Sequence, residues 1–138
     1  MPLHVITVYH NTSGRFRPYT SADTLREVIS HCRELPAIVE LEQVAEWLFN
    51  LFNADLEALE QARENPGGES GFLLACTYRL LRLRSLSVGD VVAITAGEHT
   101  TWLSCDPAGW RRIVAPEQPA RQTLVTAIGE AVRTRRHG

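Results

Sequence analysis

Hydrophobic and polar positions alternate, cluster and change period along this chain in a way that divides it into eight or nine segments. His4 to Tyr9 is dense in β-branched and aromatic residues and reads as a strand, stopped by the turn formers Asn11-Thr12-Ser13-Gly14. A loop follows from Arg15 to Ala22, with Phe16 and Tyr19 as anchors. Between Thr24 and Leu35 the apolar residues Leu25, Val28, Ile29 and Cys32 fall at helical spacing, with Asp23 as N-cap, and this periodicity favours a helix ended by Pro36. Val39 to Phe52 is the clearest amphipathic helix, carrying Val44, Leu48 and Leu51 on one side. A short helix over Asp55 to Glu64 stops at Asn65-Pro66-Gly67-Gly68, and Gly71 to Leu83 is helical with Leu73, Cys76, Leu80 and Leu83 as its stripe.

The texture then becomes β. Val91 to Thr95, Thr100 to Cys105 and Trp110 to Val114 are short apolar runs separated by Ala96-Gly97-Glu98-His99 and Asp106-Pro107-Ala108-Gly109, two tight connections that make an antiparallel meander. Pro119 to Arg133 reads as a terminal helix whose stripe, Leu124, Ile128 and Val132, packs on the domain's own sheet or on a second copy. The expected architecture is α+β: an antiparallel sheet of four to five strands, including the meander over residues 90–114, packed with two to three helices in one domain spanning residues 1–138.

Composition narrows the function classes. With 138 residues, 44% hydrophobic and 22% charged, the chain is an ordinary globular protein that needs neither disulfide nor structural metal. It has no apolar run of bilayer length and no signal-peptide pattern after Met1, so the expected location is cytoplasmic, with no membrane partner. Cys32, Cys76 and Cys105 are unpatterned and are expected as small buried apolar residues. The net charge of −2 hides an acidic centre: Asp23 to Glu69 carries eleven acids and three arginines, and the flanks carry +2 and +4. All fourteen basic residues are arginine, which suggests a high-GC genome.

Catalytic chemistry finds no motif. The histidines His4, His10, His31, His99 and His137 have no metal-ligand spacing, Ser70 is not in a nucleophile elbow, and the Gly67–Gly71 stretch is no phosphate loop. No catalytic residue, metal or cofactor is therefore assigned; an enzyme with an unfamiliar site, using His99 or Asp106 near the hairpin, is the third reading. The second is a small nucleic-acid-binding protein using Arg79, Arg82, Arg84, Arg111 and Arg112, against which stands a slightly acidic total charge.

The segment Arg84-Ser85-Leu86-Ser87-Val88-Gly89-Asp90-Val91-Val92, continued by Gly109-Trp110, is the most informative. Gly89 suits a tight turn with positive φ, and Asp90 suits a cap on backbone N–H groups, with Ser85 and Ser87 in the same role; losing such a cap costs about 0.5–2 kcal/mol. Gly109 makes the last turn, and Trp110 is placed to cover the open end of the sheet. This run, with Val8-Tyr9-His10-Asn11 and Leu51-Phe52-Asn53, resembles the signature of YodL-like domains, a family found in uncharacterised proteins of high-GC actinobacteria and their mobile elements. The resemblance implies a strand, not a helix, between Leu25 and Leu35, pairing with the first strand. It also implies a binding role with no known enzymology, and together with the missing catalytic motifs this makes the first reading a non-enzymatic interaction module of phage or plasmid type acting on a host protein or host defence; the chain is expected as a monomer or homodimer.

Overall fold

The computed structural model describes residues 1–14 and 16–117. The terminal helix expected over Pro119 to Arg133 lies outside the described residues. Five strands, β1 (Leu3–Asn11), β2 (Leu25–Glu34), β3 (Val91–Ala96), β4 (His99–Asp106) and β5 (Gly109–Ile113), form one sheet in the order β2-β1-β3-β4-β5. Every pairing is antiparallel. Between β2 and β3 run α1 (Leu41–Asn53), α2 (Leu56–Gln61) and α3 (Gly68–Leu80). This is the α+β architecture expected from the pattern, with the meander where the two turns put it.

Alternation along the strands splits the sheet into two faces. Ile6 and Val8 of β1, Val92 and Ile94 of β3 and Leu103 of β4 point to the helices and form the main core with Val44, Leu48, Phe52 and Ala75. Their neighbours Tyr9, Val91 and Ala93 face the other way and pack with Tyr19, Leu25 and the partly buried Trp102 and Ile113.

Residues 25–34 are a strand, so the helical period was misleading, and the register explains why. Val8 pairs with Ile29 but Tyr9 pairs with Glu27, which leaves Val28 as an extra residue in β2. A bulge of this kind breaks the period of two. Val28 and Ile29 both enter the main core, Leu25 joins the cluster on the opposite face and Cys32 is exposed. A bulged strand thus reproduces the i, i+3, i+4 spacing of a helix. The cysteines correct a second expectation, because only Cys105 is buried.

The third correction concerns α3. It begins at Gly68, inside the expected stop, with Gly67 at φ 75 as the residue before it, and it ends at Leu80. Its buried residues are Gly71, Ala75 and Tyr78, whereas Leu73 and Leu80 are 54% and 82% exposed. Small residues let α1 approach: a Cβ on Gly71 would already touch Leu51 Cδ1 at 3.4 Å. Tyr78 then stacks on Phe52 with ring centroids 4.0 Å apart. Of the expected stripe, Leu73 and Leu80 face outward, Cys76 is half-buried and Leu83, beyond the helix, packs against the main core.

Candidate functional site

The signature segment leaves α3 through Arg82, a non-glycine residue at φ 56, and re-enters the sheet at β3. Within it, Asp90 is 1% exposed and its carboxylate accepts four hydrogen bonds. Arg84 donates Nη2 to Oδ1 and Nη1 to Oδ2, each at 2.7 Å. The backbone N–H of Asn11 donates to Oδ1 and that of Ser87 to Oδ2, each at 2.9 Å. Asp90 therefore caps the turn as expected, but its buried carboxylate is also half of a bidentate ion pair with the partly buried Arg84, which raises its structural importance above that of a simple cap. The bond from Asp90, together with its charge, holds the Arg84 guanidinium above its ordinary range despite burial.

Gly89 takes φ 98, and a Cβ there would lie 2.6 Å from the carbonyl of Arg17, so both the turn and the close approach require glycine. The serines divide: Ser87 gives its N–H to Asp90 and its hydroxyl lies 3.3 Å from Arg84 Nη1, whereas Ser85 contributes its carbonyl rather than its side chain. Gly109, at φ 133, closes the last hairpin. Trp110 stands on the edge strand and packs against the main core. It bridges β5 to α1, donating its indole N–H to Glu46 at 2.9 Å and meeting Phe49 edge-on.

Two asparagines that the sequence shows only as element ends hold this segment in place. Asn11 is 2% exposed; its Nδ2 donates to Asp23 Oδ2 at 2.9 Å and to the Gly89 carbonyl at 3.2 Å, and its Oδ1 accepts the N–H groups of Ser13 and Gly14. Asn53, the last residue of α1, accepts from Leu86 N at 2.8 Å and donates to Leu86 O at 3.0 Å. Asp23 also accepts from Arg17 and Thr20. Burial pushes its carboxyl up, but these bonds with that of Asn11 outweigh it and leave the group below the usual carboxylate range.

Tyr78 joins α3 to the same network. Its hydroxyl donates to the carbonyl of Arg84, so it must accept from His10 Nε2, 2.8 Å away. That fixes His10 with the proton on Nε2 and removes this nitrogen as a base. Burial, and then the charge of Asp90, push the Tyr78 hydroxyl well above its ordinary value. Burial likewise pushes the Cys105 thiol up to about 11, which keeps it protonated at neutral pH. Tyr78→Phe removes both of these hydrogen bonds, one buried and one part-buried. It is expected to lower unfolding free energy by about 1–2 kcal/mol in urea titration, and an unchanged midpoint would contradict the pairing.

The five arginines do not converge. Arg84 is tied to Asp90, and Arg79 donates to the carbonyl of Ala54 behind α1. Arg111 and Arg112 are successive residues of β5 and point to opposite faces, the first to Asp106 at 2.9 Å, the second to Glu42 at 2.6 Å. Arg82 alone of the five is exposed with no ion-pair partner among the described residues. His99 and Asp106 stand at the two ends of β4, about 23 Å apart at strand rise, and do not form a common centre.

Arg84, Ser87 and Asp90 of the signature thus spend their polar groups internally, and the open surface lies beside them. Two recesses follow β2. One, of about 510 Å³, is lined by Arg26 to Val28 of β2, by residues 10–12 and by Leu81 to Arg84. The other, of about 490 Å³, lies between His31 to Glu34 of β2 and Ser70, Leu73, Leu74 and Thr77 of α3. His31 lines it with both ring nitrogens buried and, among the described residues, without a hydrogen-bond partner, and burial, then the charge of Arg33, push this imidazole down to about 4. Arg33 itself lies 3.9 Å over the ring of Trp47. No family model, no curated protein and no solved structure matches the chain.

Proposed function

We propose that this chain is a non-enzymatic protein-interaction module of mobile-element type, whose partner is a host protein. The observation that carries the reading is the contrast between its polar and apolar groups. Arg84, Asp90, Asn11 and Tyr78 spend their hydrogen-bonding capacity on one another and on the backbone, while Leu73 and Leu80 stand exposed on one side of α3. An exposed apolar stripe beside a recess is the usual mark of a protein partner. The likeness of Arg84 to Val92 to YodL-like domains supports a host protein as that partner. Nucleic acid is the poorer alternative, since four of the five arginines in question already have carboxylate or carbonyl partners.

The test is affinity capture from a high-GC actinobacterial lysate, with and without nuclease. A protein retained equally in both arms is the expected result. Capture that disappears with nuclease, or falls steeply with added salt, would move the function to nucleic-acid binding.

A further inference from the structure

We infer that the groove along β2 takes an extended, partly acidic segment of the partner as an added strand. This rests on the protein-binding reading and names the form and charge of what is bound. β2 is ten residues long and, among the described residues, pairs only with β1. Every second residue of such a strand points its N–H and C=O away from the sheet, which is a template for a further strand. The charges that usually discourage such pairing sit near the ends of β2, in Arg26, Glu27, Arg33 and Glu34, and Val28 to Cys32 carries none. The two recesses extend the template along nearly the whole strand, walled by α3 and by the segment after it.

The chemistry of the occupant follows from what faces the groove. The register places Arg26, Ile29, His31 and Arg33 on the helix side of β2, opposite His10, Val8, Ile6 and His4 of β1. In the middle, Leu73 offers an apolar wall at 54% exposure, and Leu80 continues its stripe at 82%. At one end Arg26 and Arg82 line the same recess without an ion-pair partner among the described residues. A strand that fits carries aliphatic side chains toward α3 and an aspartate or glutamate at the Arg26–Arg82 end. About eight residues at strand rise cover most of the ten of β2.

A second copy fits worse. Antiparallel self-pairing sets helix-side residues against helix-side residues, and that row of β2 contains two arginines and no acid. The chain's own tail, with Arg133, Arg135 and Arg136, is also basic.

The probe is a synthetic library of end-blocked octapeptides in which threonine alternates with randomised positions, panned on the full-length protein. Enrichment of aliphatic residues at the central randomised positions and of acid at one end is expected. Leu73→Glu, at an exposed position, should weaken the selected peptides at least tenfold, and Arg26→Glu with Arg82→Glu should change the preference from acid to base. No enrichment, or enrichment indifferent to these variants, would overturn the proposal. So would a concentration-dependent dimer that Leu73→Glu dissolves, because the occupant would then be a second copy. A host protein held equally well by the Leu73→Glu variant would sink the groove and leave the protein-binding reading standing. A lysate yielding no nuclease-resistant capture would sink that reading itself.

Discussion

Asp90→Ala is expected to lower the unfolding free energy by about 3–5 kcal/mol at neutral pH, the range for removing one partner of a buried pair. The cost arises from what remains. Arg84 keeps its charge at a partly buried position, and the N–H groups of Asn11 and Ser87 lose their acceptor together. Read from sequence as a turn cap, the same residue would be worth about 0.5–2 kcal/mol. The difference comes from Arg84, six residues earlier, which closes a fork on both carboxylate oxygens. Urea unfolding measures it. A loss below about 1 kcal/mol would show that the fork adds nothing to the cap. Arg84→Ala should also be costly, and the double variant should cost less than the sum of the singles, because a residue removed with its partner leaves no orphaned charge.

His31 provides the second large effect, which appears in acid. Its imidazole is held neutral down to about 4 in the folded chain, against an ordinary value near 6.5 in the unfolded one. Between those values the unfolded state binds the extra proton, so stability is fully present above about pH 6.5 and is lost as pH falls toward 4. The loss from this residue is about 2 kcal/mol at pH 5 and about 3 kcal/mol at pH 4. Asp23, whose carboxyl is lowered, loses its contribution in the same direction as it protonates, so the wild-type curve alone does not isolate His31. The comparison with His31→Leu does. The variant is expected to lose about 2 kcal/mol less than wild type between pH 7.5 and pH 5. Parallel stability curves for the two proteins would contradict the buried neutral imidazole.

Most of the fold is legible in the residues. The meander follows from two turn sequences between apolar runs, and α1 follows from a clean 3.6 period. β2 is not legible by period because its bulge puts Val28 and Ile29 on one side. The orientation of α3 is not legible either: leucines normally face inward, but the approach of α1 over Gly71 and the stacking of Tyr78 on Phe52 reserve the inner face for smaller and aromatic residues. At the candidate site, Gly89 and Asp90 are readable from local turn chemistry. Arg84 as partner of Asp90 is not, because the irregular backbone between them follows no regular period that would set one against the other; Asn11 and Asn53 as clamps are not, because Gly89 and Leu86 lie on a segment that only tertiary folding brings near. His31 gave no signal at all, since an isolated histidine in a strand has the same spelling whether its nitrogens are bonded or orphaned.

On the proposed function, the signature builds the fold and a separate surface binds the partner. Host-protein capture by Asp90→Ala, held well below its lowered melting temperature where circular dichroism shows it folded, tests that separation directly. The account predicts that the folded variant retains as much nuclease-resistant partner as wild type. A folded variant with an unchanged melting temperature and no captured partner would contradict it, and would make Asp90 and Arg84 the binding site themselves.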